Sequence, residues 1–160
     1  MVVIGIDPGI RKTGYGVIRS TNNVPELVDY GIISSDSTDP VANRIYSIFS
    51  DVQDLIDKYN PTVLSIEDIF FGKNVKSMLL LGQARGAALI AAASKDLIIY
   101  EYSPKKIKQS LTGNGNSEKH QVQFMVQNLL RLSSPPSPHD ASDALAAALC
   151  HFQQIEVSAL

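Results

Sequence analysis

The spacing of hydrophobic residues changes several times along the chain, and each change predicts a new element. Three β-branched runs near the start predict strands at residues 2–6, 14–20 and 26–34. Because these strands follow one another closely, we expect an antiparallel meander. Apolar residues then recur every three or four positions, which predicts a helix over residues 41–59, with Asp39-Pro40 supplying its cap and first-turn proline.

The second part of the chain alternates strands with helices. We expect strands at residues 61–68 and 97–102, and helices at 75–94, 104–111, 117–132 and 138–154. Ser137 is the expected N-cap of the last helix. This order of elements predicts an α/β fold, with a mixed five-stranded sheet flanked by helices. We expect one domain over residues 1–154, followed by a short tail at 155–160.

Composition narrows the class of protein. The chain has 160 residues, 44% hydrophobic and 19% charged, which is typical of a single globular domain. The longest apolar segment is interrupted by Gln83 and Arg85, so we expect no transmembrane helix, and the first residues lack the features of a signal peptide. Cys150 is the only cysteine, which excludes an intrachain disulfide and fits a reducing cytoplasm.

Charge is distributed unevenly along the chain, although its net value is only −2. Residues 70–120 contain eight lysines and arginines and three acidic residues, whereas the rest contains six and thirteen. This asymmetry suits a basic surface that meets an anionic partner, and it equally suits a solvated face.

Four acidic residues fall where functional groups gather in sheets of this kind. Asp7 and Glu67 lie at the ends of predicted strands, and Asp140 and Asp143 lie at the start of the last predicted helix, on one face. Buried together, four carboxylates would repel one another unless a divalent cation neutralised them. Oxygen ligands favour Mg²⁺ or Mn²⁺ over zinc, and two such ions are the recurrent arrangement for phosphodiester cleavage.

Three of the four acids also have a purely structural interpretation. Asp140 fits a capping box with Ser137, Asp143 fits the helix dipole, and Asp7 fits an Asp-Pro-Gly turn. Spacing alone leaves these alternatives open. His139 points about 100° away from Asp140 on a helix, which favours a role outside the ligand set. His120 and His151 are expected to be exposed or structural.

Five segments are specific in combination: Ile4-Gly5-Ile6-Asp7-Pro8-Gly9, Thr13-Gly14-Tyr15-Gly16, Ile66-Glu67-Asp68-Ile69-Phe70, Leu81-Gly82-Gln83-Ala84-Arg85-Gly86 and Asp140-Ala141-Ser142-Asp143-Ala144-Leu145. Together they resemble the RuvC family of Holliday-junction resolvases, from residue 2 to about 152. The resemblance implies a ribonuclease-H-like fold and a bacterial, cytoplasmic homodimer. It also implies a magnesium-dependent endodeoxyribonuclease that resolves four-way (Holliday) DNA junctions by paired symmetrical nicks, in recombination and repair, beside a branch-migration motor complex of the RuvA and RuvB type.

The resemblance also assigns roles to residues. The acids that would bind two Mg²⁺ ions, which Mn²⁺ can replace, are Asp7, Glu67, Asp140 and Asp143, and Lys119 joins them as a catalytic residue. The expected DNA contacts are Phe70, Phe71, Lys73, Lys76, Lys105, Lys106, Lys108 and Lys119, with an exposed aromatic ring stacking on an unpaired base.

The helix at residues 75–94 has apolar residues on more than one side, so it suits either a wholly buried helix or one that also packs on a twofold mate. On the second interpretation, the expected dimer contacts are Met78, Leu79, Leu81, Gly82 and Arg85.

Two features depart from the family pattern. Asp68 stands where the family commonly has a neutral residue, and as a strand residue it should face away from Glu67. The basic C-terminal extension of some relatives is missing. Three alternatives stay open: a related ribonuclease-H-like nuclease acting on RNA, a nucleotide-binding module of the sugar-kinase and actin type, and a junction-binding protein without catalysis.

Overall fold

The computed structural model of the chain describes residues 1–68 and 72–158, and its elements follow the predicted order. The strands are β1 (Val2–Asp7), β2 (Lys12–Thr21), β3 (Val24–Ser34), β4 (Val63–Glu67) and β5 (Ile98–Tyr102). The helices are α1 (Val41–Tyr59), α2 (Val75–Ala93), α3 (Pro104–Thr112), α4 (Lys119–Leu129) and α5 (His139–Ser158). No helix in this part of the chain is both long and apolar enough to cross a membrane.

The five strands form one mixed sheet in the order β3-β2-β1-β4-β5. The first three strands pair antiparallel, which confirms the predicted meander, and β1, β4 and β5 run parallel. Ile6 of β1 pairs with Ile66 of β4. The two strands therefore end side by side, and the next residues, Asp7 and Glu67, lie at the same edge of the sheet.

Helices cover both faces of the sheet, so the central strands are buried on both sides. On one face Ile4 and Leu64 pack with residues of α1 and α2. On the other face Val3 and Val63 pack with residues of α3, α4 and α5. This alternation follows from the two-residue period of a strand. It confirms the predicted α/β arrangement of a mixed five-stranded sheet between two helical layers.

Helix α5 lies unusually close to the sheet. A Cβ atom on Gly5 would lie 2.0 Å from the carbonyl oxygen of Ala144, and one on Gly14 would lie 1.9 Å from that of Asp140. Both distances are far below van der Waals contact, so only glycine leaves room for the helix backbone. Gly14 is also the antiparallel partner of Asp7. The close approach at Gly14 therefore brings the start of α5 beside the end of β1.

The structure corrects three predictions about helix ends. Pro40 itself occupies the N-cap position of α1, and no side chain caps that helix, so the cap expected from Asp39 was wrong. Helix α4 is shorter than predicted, because the segment 117–118 precedes it and the chain turns after Leu129. Helix α5 starts at His139, with the amides of Ala141 and Ser142 donating to the Pro138 carbonyl, and it continues to Ser158 instead of ending at residue 154.

We expect Gly14→Ala to lower the free energy of unfolding by about 1–3 kcal/mol, the cost typical of an added group in a tightly packed interior. The reason is that the new methyl group would press on the Asp140 carbonyl. Gly86→Ala is the matched control, since no atom lies within 4 Å of its added Cβ and it sits in α2. The control should raise the free energy of unfolding by about 0.5–1 kcal/mol. Urea denaturation measures both, and equal effects of the two changes would contradict the close approach.

Candidate active site

The four predicted acids meet in one cleft at the edge of the sheet. Asp7 ends β1, Glu67 ends β4, and Asp140 and Asp143 lie on the first two turns of α5. All four line an open cavity of about 320 Å³, and the other lining residues are Pro8, Asp68, Leu81, Pro104 and Lys119. Residues separated by up to 136 positions in the chain thus share one site.

A smaller cavity of about 180 Å³ adjoins this cleft on the side of α3 and α4. It shares Glu67, Lys119 and Asp143 with the larger cavity, and it adds Lys108. The Nζ atom of Lys119 lies 3.4 Å from Oδ2 of Asp143. Two lysines, Lys108 and Lys119, therefore lie beside the acids.

Burial, together with the crowding of negative charge, determines the electrostatics of the cleft. Burial raises the pKa of Asp7 to about 8, and the charges of Asp143, Glu67 and Asp140 add to the effect, while Lys119 opposes it. Burial and Asp143 likewise raise the pKa of Glu67, against the lowering influence of Lys119 and Lys108. Without another cation, Asp7 holds a proton at neutral pH.

The donor atoms of this cleft suit a hard divalent cation. Four carboxylates provide only oxygen ligands, and their mutual repulsion is the kind that a bound cation relieves. Their spacing is wider than a finished metal site, because no three His, Cys, Asp or Glu side chains in the described residues are grouped closely enough to hold an ion as they lie. A metal ion would therefore have to draw the carboxylates together.

Hydrogen bonds from two buried side chains hold the loop that follows Asp7. The Thr13 hydroxyl donates to the Gly9 carbonyl at 2.8 Å, and Nη2 of Arg44 donates to the Ile10 carbonyl at 3.0 Å. Both Thr13 and Arg44 are buried. The sequence analysis missed Arg44, although its spacing of four from Ile48 placed it on the buried side of α1. This bonding fixes the loop beside the first acid.

Asp68 lies where it was not expected. The sequence analysis treated it as a strand residue that faces away from Glu67, but β4 ends at Glu67, so strand alternation no longer applies. Asp68 lines the same cleft as the four acids, and its carboxylate lies 3.6 Å from Nη2 of Arg85.

The remaining predicted DNA contacts occupy varied positions. Four of the predicted lysines are exposed but line neither cavity: Lys73, Lys76, Lys105 and Lys106. Phe70 and Phe71 lie outside the described residues.

The predicted dimer contacts separate into different environments on α2. Leu79 is 65% exposed, and so is a residue that the sequence analysis missed, Val75, at 70%. Leu81 lines the acid cleft, and Met78 and Gly82 are partly buried. The Arg85 side chain is only 12% exposed and points into the chain. An outward apolar surface of α2 is therefore formed by Val75 and Leu79.

The three histidines lie outside the cleft, as predicted. His151 is buried, with its Nδ1 atom 2.8 Å from the Tyr102 hydroxyl, and burial lowers its pKa. His120 is exposed, 3.3 Å from a Glu118 carboxylate oxygen, and His139 is exposed at the start of α5. Among the described residues, the titratable groups that line the two cavities are therefore acids and lysines.

Known proteins resemble this chain in both sequence and three-dimensional structure. The sequence model of the family described as crossover junction endodeoxyribonuclease RuvC matches residues 3–151. The chain belongs to the RuvC family. A relative from Alkaliphilus oremlandii, named crossover junction endodeoxyribonuclease RuvC, is 43% identical over 94% of this chain and 92% of its own length.

Two solved structures of Thermus thermophilus RuvC agree with this placement. The match to one of them covers 99% of this chain and 97% of the Thermus chain, with a TM-score of 0.92 and 32% sequence identity. The other is described as a complex with Holliday junction substrate, and it matches 98% of this chain and 96% of its own with a TM-score of 0.90 and 30% identity. These matches confirm the ribonuclease-H-like fold expected from the resemblance. RuvC-family enzymes are metal-dependent nucleases, which agrees with the donor set of the cleft.

We expect the metal-free protein to lose stability as pH rises from about 4 to 8, because the folded pKa of Asp7 is about 8 and its ordinary value is 3.8. In this range the unfolded chain releases the proton and the folded chain retains it, so the stabilisation present at low pH is lost as pH passes the folded value. Each unit of pKa corresponds to about 1.4 kcal/mol, so the loss should be on the order of a few kcal/mol.

Asp7→Asn removes this titration. Thermal unfolding in a chelator should therefore show the variant gaining stability relative to the wild type between pH 5 and pH 9. Asp39→Asn, the same chemical change at an exposed loop position, should not alter the pH dependence. Parallel curves for wild type and Asp7→Asn would show that Asp7 does not carry the raised pKa.

Proposed function

We propose that this chain is a crossover junction endodeoxyribonuclease, which resolves four-way (Holliday) DNA junctions by paired symmetrical nicks in homologous recombination and DNA repair. The observation that carries the proposal is the meeting of Asp7, Glu67, Asp140 and Asp143 in one cleft of a RuvC-family chain. The relatives and structures named above give no support to the alternative substrate, RNA. A related protein of the same shape has been solved with a Holliday junction, which supports the same substrate here.

The proposed cofactor is a pair of Mg²⁺ ions, which Mn²⁺ can replace, held by the four acids. When bound, such ions would lower the pKa of an attacking water and stabilise the leaving oxygen of the phosphodiester. Asp7 is the central ligand in this proposal, because its carboxylate responds to the charges of the other three acids.

The chain's own cations address the DNA. The Lys119 ammonium is exposed above Asp143, so it can orient that carboxylate and contact a phosphate oxygen at the same time. Lys108, across the smaller cavity, would hold the phosphate from the side of α3. The four exposed lysines outside the cleft, Lys73, Lys76, Lys105 and Lys106, would extend this contact along the backbone. Phe70 or Phe71 is proposed to stack on an unpaired base at the junction.

The proposed assembly is a homodimer, in which a twofold axis presents two identical sites to a nearly symmetrical junction. The exposed pair Val75 and Leu79 on α2 supports this assembly, because the described residues leave both apolar side chains largely uncovered. We place the activity in the bacterial cytoplasm, where it would act beside a branch-migration motor complex of the RuvA and RuvB type.

We expect Asp7→Asn to reduce the cleavage of four-way junctions by at least about 100-fold, the scale at which loss of one charge-stabilising group acts. Junction affinity should change little, because Asp7 is a buried ligand and not a contact to DNA. Synthetic four-way and linear duplexes, with and without Mg²⁺, give the nick positions for wild type and variant, and gel shifts without metal give the affinity. Asp39→Asn should cleave like the wild type. Equal wild-type cleavage of linear duplex and junction would contradict junction specificity, and near-normal cleavage by Asp7→Asn would contradict its role.

We expect Leu79→Asp to convert a dimer into a monomer, because a charge at the centre of an apolar contact must be desolvated. Sedimentation velocity across a range of protein concentrations measures this change. Tyr46→Asp is the matched control, since Tyr46 is 69% exposed on a different helix, α1. A monomeric wild type, or a Leu79→Asp protein that stays dimeric, would contradict the proposed dimer surface.

A further inference from the structure

Arg85 joins three elements at the point where β4 ends. From α2, its Nε atom donates to the backbone carbonyl of Glu67 at 3.3 Å. Its Nη2 atom lies 3.6 Å from Oδ1 of Asp68, and it also contacts the carboxylate of Glu101 on β5. One guanidinium thus connects a helix with the ends of two parallel strands. We call Arg85, Asp68 and Glu101 the Arg85 clamp.

The composition of α2 makes this arginine unusual. The residues that α2 buries are all alanines: Ala84, Ala87, Ala88, Ala91 and Ala92. An apolar side chain at position 85 would suit such a helix. Burying a guanidinium instead costs desolvation free energy, and the attraction of its ion pairs commonly does no more than offset that cost. Ion pairing alone therefore does not explain why position 85 is an arginine. The position of its donor atoms explains the choice better.

The donor atoms act on the residue whose side chain enters the cleft. Nε bonds to the carbonyl of Glu67, the last residue of β4, and the chain leaves the sheet directly afterwards. A strand end has fewer ladder hydrogen bonds than a strand centre, so its orientation depends on such contacts. Asp68 and Glu101 hold the Nη2 end of the planar guanidinium, which leaves its Nε–H directed at the Glu67 carbonyl.

We propose that Arg85 is a positioning residue for Glu67, and that the Arg85 clamp sets the direction in which the Glu67 carboxylate enters the cleft. The inference rests on the proposed function, because it takes Glu67 as a metal ligand. The Arg85 contacts that carry this proposal are to Glu67, Asp68 and Glu101. Arg85 acts through the backbone of Glu67, and its loss would leave the four acids present but one of them misdirected.

A merely structural role would have a different consequence. If Arg85 only fastened α2 to the sheet, its replacement would lower stability without changing how the folded protein binds metal. Lys95 provides the comparison, since its Nζ atom lies 2.6 Å from Asp57 and fastens the end of α2 to α1, away from the cleft. Lys95→Ala removes this ion pair, which has only a structural role, and should leave the cleft unchanged.

The test compares Arg85→Ala, Arg85→Lys, Glu101→Gln and Lys95→Ala as full-length proteins. Two measurements are made on each folded variant: the Mg²⁺ concentration that gives half of the maximal thermal shift, and kcat and KM for a synthetic four-way junction. Arg85→Ala should raise the Mg²⁺ midpoint and lower kcat by about 10-fold or more, the scale reported for partners that orient metal ligands. KM, and junction affinity without metal, should stay within about twofold.

The conservative variants separate charge from geometry. Arg85→Lys keeps the charge near Asp68 and Glu101 but loses the planar fork. It should therefore restore the stability lost in Arg85→Ala, while its Mg²⁺ midpoint should lie between those of Arg85→Ala and the wild type. Glu101→Gln should shift the midpoint in the same direction by a smaller factor. Lys95→Ala should lower the melting temperature and leave both the midpoint and kcat at wild-type values.

A wild-type Mg²⁺ midpoint in folded Arg85→Ala would overturn the proposal. If that variant does not fold, a wild-type midpoint in Arg85→Lys overturns it instead. Should the wild-type chain cleave no junction, the proposed function fails, while the Mg²⁺ midpoints of the folded variants still decide whether the clamp positions Glu67.

Discussion

The contact between α5 and the sheet determines the rest of the site. At Gly5 and Gly14 the helix backbone occupies the space that a Cβ atom would need, so the two layers meet at the shortest possible separation. Leu145 and Leu149 on the same helix are fully buried in the core below. The helix cannot withdraw without opening a cavity, at a cost of several kcal/mol for residues of this size. Asp140 and Asp143 are therefore held beside Asp7, however unfavourable their charges are.

That enforced proximity explains the electrostatics. In water, carboxylates would separate or remain hydrated, but here the packing energy of the core keeps them together. Burial, and after it the charges of the other three acids, raises the pKa of Asp7 to about 8. Lys119 and Lys108 reduce the repulsion only in part, because both lower the pKa of Glu67 and yet it stays raised. The folded chain thus retains a deficit of positive charge in its cleft. Metal dependence in this family is the expected consequence of such a deficit.

The sequence predicted those features that depend on local periodicity. Strands and helices appeared in the right order because apolar spacing records which face of each element is buried, and the acids at strand ends followed from that order. Contacts between distant residues left no such signal. Asp68 was misplaced because the strand ends at Glu67, one residue before the predicted end at residue 68. The partners of Arg85 lie 16 to 18 positions away on other elements, so no spacing could indicate them.

Helix α2 illustrates why a pattern of apolar residues gives an incomplete answer. Its alanines face the sheet, Leu81 borders the cleft, Arg85 reaches the strand ends, and Val75 and Leu79 face outward. Because apolar residues lie on several sides of this helix, its sequence lacks the amphipathic period that would distinguish a buried side from an exposed one. A rigid helix nevertheless transmits displacement along its whole length. In the proposed homodimer, a partner that covers Val75 and Leu79 would therefore contact the same helix that reaches, through Arg85, the end of β4 that carries Glu67.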